Sequence, residues 1–314
     1  MDKSPAGGAT EASPAEPQEA GRRAFGRLLP AVPAVLVLGV LFLGSMVFML
    51  VFSFGRTVDF SFVADWSLDN YARFFTGGSV EVGPVVVSTY VWSFGKTLVM
   101  GFLVMAACLA LALPFTYYLV RYVSRRWQRI TLLAVIIPFW TSYLLRVYAW
   151  QSILGETGAL NQLLQGLGLI EEPSRLFVYN DTGVFIVLVY VYFPFAALAL
   201  YASLDRFDFS QFQAAQDLGA RPDQAFRHVL LPQIRPGLIT ASIFVLVPII
   251  GEFLTPQLVG GAQGLLIGNL VVNFLRGAQI AEGAALAIII AAFVTAVLVI
   301  FRRHLQVEDV VARG

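Results

Sequence analysis

Two charged side chains stand at the edges of otherwise apolar runs, and around them lie residue types that could recognise a cation. Arg146 closes the uncharged run at 130–145, and Glu252 follows the run at 236–251. A charge at membrane depth costs about 2.5–3.5 kcal/mol on insertion scales, so it faces protein or water rather than lipid. Arg146 lies seventeen residues past Arg129, and Glu252 lies seventeen past Arg235. At a rise of roughly 1.5 Å per residue, two straight helices would lift both charges about 25 Å from the same boundary. Equal depth leaves two readings open: an Arg146–Glu252 ion pair, or a Glu252 free to meet a cationic substrate. Trp140 and Tyr143, at i and i+3, and Tyr190 and Tyr192 lie too deep for a boundary belt. Ring faces attract a desolvated ammonium by about 0.5–2 kcal/mol, and the alternative is packing, with the hydroxyls bonded across helices. Trp92, Tyr148 and Trp150 read as boundary anchors.

Other chemistries find few residues. Cys108 is the sole cysteine, which excludes an intrachain disulfide, and His228 and His304 are the two histidines. Both histidines fall in polar segments, far from any cluster of nucleophile, base or metal ligands. The expectation is a chain that is not an enzyme, with no catalytic residue and no metal site. A phosphate-cradling loop of the form G-x-x-x-x-G-K-[ST] is absent from the sequence, so this chain is expected to bind no nucleotide.

The elements that position these residues are set by composition. Of 314 residues 58% are hydrophobic and 13% are charged, with a mean hydropathy of +0.74. Soluble domains carry about 25% charged residues, so this chain needs lipid as its solvent. The net charge of +1 gives no reason to expect nucleic acid. Uncharged runs at 28–55, 97–120, 130–145, 182–204, 236–251 and 283–301 predict six transmembrane helices. The third and fifth reach the roughly 20 residues a span requires only by admitting Arg146 and Glu252. Arginines crowd 22–27, 121–129, 206–235 and 302–303, which places those segments and both termini in the cytoplasm. Residues 1–26 read as a disordered cytoplasmic tail, 27–304 as the six-helix domain, and 305–314 as a second tail.

The loop at 205–235 is predicted to be helical and bent. Ser210 is a candidate N-cap for a helix running to Leu218. Phe212, Ala215 and Gly219 fall at i, i+3 and i+7, with Ala214 and Leu218 adjoining, so one face is small and apolar. Gly219 suits the left-handed turn that ends a helix. Pro222 suits the first turn of the next helix, which carries Phe226, Val229 and Leu230 before Pro232. The alternative is an amphipathic helix lying on the membrane surface.

The run Gln213-Ala-Ala-Gln-Asp-Leu-Gly219, continued to Leu231-Pro232, resembles the EAA loop of ABC-importer permeases, with Gln213 where that family usually has Glu. The segments 138–150, 251–261 and 70–75 are similar to those of polyamine permeases of the PotB/PotH type. The likeness covers roughly residues 30–303. It implies an all-α, MetI-like type I permease in a bacterial inner membrane, importing polyamines (spermidine or putrescine) by alternating access. Implied partners are an ATPase dimer that holds ATP and Mg, a second homologous permease in a heterodimer, and a periplasmic substrate-binding protein. The same likeness makes Phe212, Gln213, Ala214, Ala215, Asp217, Gly219, Ala220 and Phe226 the candidate ATPase-coupling residues, with Phe212 and Phe226 as interface anchors. Opines, aminophosphonates and iron complexes are alternative solutes, and an ATPase-independent secondary transporter is the alternative mechanism. Gly251, Pro256, Gly260, Gly261 and Gly264 break 255–280, which reads either as a gate or as a plain loop.

Overall fold

The computed structural model describes residues 32–58, 61–82, 85–175, 177–262 and 264–305. The tail expected at 1–26, and all but the first residue of that at 305–314, lie outside them. Four helices among the described residues are long and apolar enough to cross a membrane. They are α1 (Val32–Ser53), α3 (Thr89–Tyr122), α7 (Asp181–Leu204) and α14 (Ile280–Leu305). The residues from Phe52 onward pack as one compact unit, and α1 up to Val51 stands as a separate one.

The third and fifth expected spans are bent pairs rather than straight helices. In the third, α4 (Arg125–Ile136) passes through a tight turn at Ile137–Trp140 and resumes as α5 (Tyr143–Leu154). The two halves meet at 94°. Pro138 has no N–H to continue the helix, and Thr141 and Ser142 take extended backbone angles. A short helix α6 (Ala159–Gly166) follows. The fifth span, α11 (Arg235–Ile250), meets the segment before it at 67°.

Between the first and second spans the chain makes elements that its uncharged runs do not announce. Strand β1 (Arg56–Val58) pairs antiparallel with β2 (Ser61–Val63), and β3 (Val80–Val82) with β4 (Val85–Val87). Helix α2 (Asp69–Thr76) lies between the two hairpins. Its buried Asn70 donates to the carbonyls of Ser53 and Gly55, satisfying backbone groups that no helix serves.

Helices α3, α7 and α11 form the centre. Val104, Cys108 and Ala112 of α3 are fully buried with Val187, Leu188, Ala196, Ala197 and Leu200 of α7 and Val245 and Ile249 of α11. Small residues let the axes come close: a Cβ on Gly101 would lie 2.9 Å from Leu246 Cδ1. After α11 the chain folds back through α12 (Leu254–Val259) and α13 (Ile267–Arg276) before α14.

Candidate functional site

Two places gather the predicted residues. The first lies where α5, α7 and the turn after α11 meet. Glu252 follows α11 by two residues and is 9% exposed. Its Oε1 accepts from the N–H groups of Leu254 (2.9 Å) and Thr255 (3.1 Å), at the start of α12. Its Oε2 accepts from the hydroxyls of Tyr143 (2.9 Å) and Tyr192 (3.2 Å). Tyr143 and Thr255 hydroxyls lie 2.7 Å apart, so Thr255, Tyr143 and Glu252 form a chain of donors ending on the carboxylate. Four donors around one buried carboxylate satisfy it without a counter-cation.

Arg146 and Glu252 do not form the ion pair that equal depth suggests. Equal depth presumes two straight helices, and the right-angled break at Thr141–Ser142 removes that premise. Arg146 instead stacks its guanidinium on the rings of Phe139 (4.6 Å) and Tyr143 (5.5 Å). Its Nε and Nη1 are buried without a hydrogen-bond partner among the described residues.

The structure joins Tyr143, Tyr192 and Glu252 but leaves the other two pathway candidates elsewhere. Trp140 is 85% exposed at the break. Tyr190, two residues from Tyr192, packs on Trp150 with ring centres 5.0 Å apart. Trp150 is half-buried and packs against the core with Tyr190. Thr255, absent from the predicted set, completes the network; an i+3 spacing from Glu252 into a helix start was the available signal.

The second place is the bend between α7 and α11. Helix α8 (Phe209–Asp217) is capped by Asp208, not Ser210. The Asp208 carboxylate accepts from the Ser210 N–H (2.9 Å) and meets its hydroxyl at 2.7 Å. Those bonds, the hydroxyl's first, hold the carboxyl below its usual pKa. Asp208 takes the cap because its carboxylate, at the residue before the helix, reaches the free amides without sharing a proton. Gly219 has φ +92°, the left-handed turn expected of it. The amide of Ala220 closes on the carbonyl of Ala215 (3.0 Å). Pro222 opens α9 (Pro222–Ala225), and the N–H of Arg221 just before it donates to Gln224. A wide turn at Phe226–Leu230 and a short helix α10 (Leu231–Gln233) return the chain to α11.

Phe212 and Phe226 do not stand out as anchors for another protein. Phe212 is buried with Leu204, Phe207, Ala225, Leu230 and Ile234, and Phe226 and Ala215 pack against that cluster. The remainder of α8 and its turn carries Gln213, Ala214, Asp217, Leu218 and Gly219, all exposed, while Ala220 is half-buried. Leu218, at 90% exposure, is the large apolar side chain at the tip. Gln233 donates to Gln211 (2.6 Å) and ties α10 to α8, and Arg125 pairs with Asp205 below α7.

The segment at 255–280 is neither a bare turn nor loosely held. Thr255, Pro256, Val259, Leu266, Ile267 and Asn269 are buried. Gln151 donates to the Leu258 carbonyl (2.7 Å), and the Ile267 N–H donates to Thr97 (2.9 Å). A Cβ on Gly268 would lie 2.6 Å from the Glu252 carbonyl oxygen, so glycine permits this close approach.

Residues 118–307 match the family described as binding-protein-dependent transport system inner membrane component. The chain is 34% identical over 253 residues to the spermidine/putrescine transport system permease protein PotB of Escherichia coli (strain K12), covering 80% of this chain and 87% of that one. It is 32% identical over 263 residues to the inner membrane ABC transporter permease protein YdcU of the same organism, covering 79% and 80%. In fold it is similar to a bacterial alginate ABC transporter solved with an alginate pentasaccharide-bound periplasmic protein. That likeness has a TM-score of 0.72 at 14% identity and covers 92% of this chain and 98% of that one.

Proposed function

Because this chain belongs to the family of inner membrane components of binding-protein-dependent transport systems, we propose that it is the permease subunit of an ATP-driven polyamine importer. In this reading it is a multi-pass protein with both termini in the cytoplasm. It is not an enzyme, and ATP and Mg belong to a separate ATPase dimer. A second homologous permease completes the membrane portion, and the periplasmic binding protein docks on the opposite side.

The observation that carries the reading is the elbow. A nine-residue helix keeps its aromatic Phe212 inside its own body and leaves Gln213, Ala214, Asp217 and Leu218 exposed. Such a surface, with Leu218 as its one large apolar residue, fits a cleft on a neighbouring subunit and transmits its motion. The route for that motion is continuous. Phe212 shares a cluster with Leu204 at the end of α7 and Ile234 before α11. Helix α11 has 16 residues, a rod of about 24 Å, and its far end carries Glu252. There the carboxylate holds Tyr143 and Tyr192 together. Closing of the ATPases thus moves α7 and α11 and works the tyrosine–glutamate network at the far end.

Polyamine as the substrate is supported by the names of the relatives and by side-chain chemistry. Trp140, Tyr143, Tyr190 and Tyr192 provide ring faces, and Glu252 provides a carboxylate. In this conformation the carboxylate is fully occupied by its four donors, so a substrate ammonium reaches it only when a tyrosine hydroxyl turns away.

Gly219→Asp and Leu218→Asp test the coupling. Both keep the chain inserted in the membrane. Gly219→Asp forces a β-carbon into the left-handed region, at about 1–2 kcal/mol, and both place charge where the ATPase is to seat. ATP-dependent uptake and ATPase co-purification should fall together in each. Unimpaired uptake in both variants, or uptake that persists without any ATPase, overturns the reading.

A further inference from the structure

A cleft of about 460 Å³ opens between α7 and α11 at the elbow end, away from the Glu252 network. Its walls carry Ala199, Ser203, Gly237 and Thr240, with Phe244 above and Arg206 and Gln233 at the rim. Gly237 lets the two helices touch beside the cleft: a Cβ there would lie 2.3 Å from Ser203 Cβ.

The cleft is lined by polar as well as apolar groups. Hydroxyls on membrane helices normally bond back to their own backbone. Ser45, Thr97, Thr116, Ser242 and Thr295 each do so, donating to the carbonyl four residues earlier. Ser203 and Thr240, lining the cleft from facing helices, have no hydrogen-bond partner among the described residues. Arg206, exposed at the rim, makes no ion pair among the described residues, and its neighbour Asp205 is taken by Arg125. Two half-buried hydroxyls and the guanidinium at the rim offer donors that suit an anion rich in acceptor oxygens. The apolar exit beside Phe244, 51% exposed, calls for hydrocarbon.

We propose that this cleft holds one anionic phospholipid, its phosphate on Arg206, Ser203 and Thr240 and an acyl chain rising past Phe244. The assignment rests on the reading that the elbow is cytoplasmic, since the cytoplasmic leaflet is the anionic one that basic pockets between membrane helices engage. Arg206 lies two residues beyond the end of α7 at Leu204, at the level a headgroup occupies. From Gly237 to Phe244 the helix climbs about 10 Å, into the hydrocarbon. A lipid wedged between α7 and α11 sits on the two helices that carry the elbow's motion.

The test is native mass spectrometry of the assembled transporter, released from nanodiscs of phosphatidylcholine with and without phosphatidylglycerol. The full-length chain is compared with Arg206→Gln, Thr240→Val and Ser203→Cys, and gel-filtration profiles confirm that each assembly is intact. The unmodified chain should retain phosphatidylglycerol and not phosphatidylcholine, and Arg206→Gln should cut that retention about tenfold or more. Thr240→Val should reduce it less, because a neutral bond is lost. Equal retention in every variant overturns the proposal. So does displacement of the lipid by millimolar inorganic phosphate, which would make this a free-anion site. Efficient crosslinking of the thiol introduced by Ser203→Cys to a second permease chain also overturns it, because protein would then fill the cleft. A preparation without ATPase subunits that still holds the lipid and still drives uptake supports this inference while sinking the proposed function, so the two fail separately.

Discussion

Replacing Glu252 by glutamine should loosen the junction of α5, α7 and α12 rather than weaken substrate capture alone. The carboxylate accepts four hydrogen bonds, two from backbone amides and two from tyrosine hydroxyls. A hydrogen bond to a charged group contributes about 1.5–3 kcal/mol, and one between neutral groups about 0.5–1.5 kcal/mol. The exchange therefore removes about 1 kcal/mol per bond, and the glutamine –NH2 requires both tyrosine hydroxyls to reverse. The Tyr143 proton then keeps an acceptor in this network only if its bond with Thr255 also reverses. Relief of carboxylate desolvation offsets part of the loss, leaving an expected cost of about 2–4 kcal/mol. A double-mutant cycle isolates the contact. Tyr192→Phe should cost about 1.5–3 kcal/mol in the unmodified protein and about 0.5–1.5 kcal/mol beside Glu252→Gln, a coupling of about 1 kcal/mol. Denaturation of the purified assembly and amide exchange across 254–260 report it. Equal costs of Tyr192→Phe in both backgrounds would refute the network. So would a Glu252→Gln protein of unchanged stability whose half-saturation concentration alone has risen.

Gly268→Ala should destabilise the return segment by about 1–3 kcal/mol, because its methyl would press on the Glu252 backbone rather than on a yielding side chain. Faster proteolysis within 255–280 checks it, and unchanged cleavage contradicts it. The Asp208 cap gives the elbow an acid-sensitive start. Its carboxyl pKa is lowered below the usual 3.8 by the Ser210 hydroxyl and amide, so its contribution is complete above that value and lost as pH falls through the lowered one. Protection of the Ser210 amide, relative to its intrinsic exchange rate, should fall in that acid window. Asp208→Asn, which still caps, should abolish the dependence.

What the order of residues determined was local. Long uncharged runs dictate spans whatever they pack against, because lipid leaves a helix no other way to satisfy its backbone. Gly219 and Pro222 dictated the elbow because their backbone limits travel with them into any fold. Tertiary structure decided which way each side chain faced. In α7 every face is apolar, so no periodicity separates Leu188, fully buried, from Phe195, 38% exposed, and none told which tyrosine would meet Glu252. Phe212 went inward because α7 and α11 present a cluster for it, which the elbow's own sequence does not encode. Of the two readings that equal depth left open for Arg146 and Glu252, the ion pair does not form, because a break two residues wide turns the helix of Arg146 through 94°. Depth counted along a straight axis holds only while the axis stays straight; Pro138 marks in the sequence where it can break, and the folded chain sets the angle.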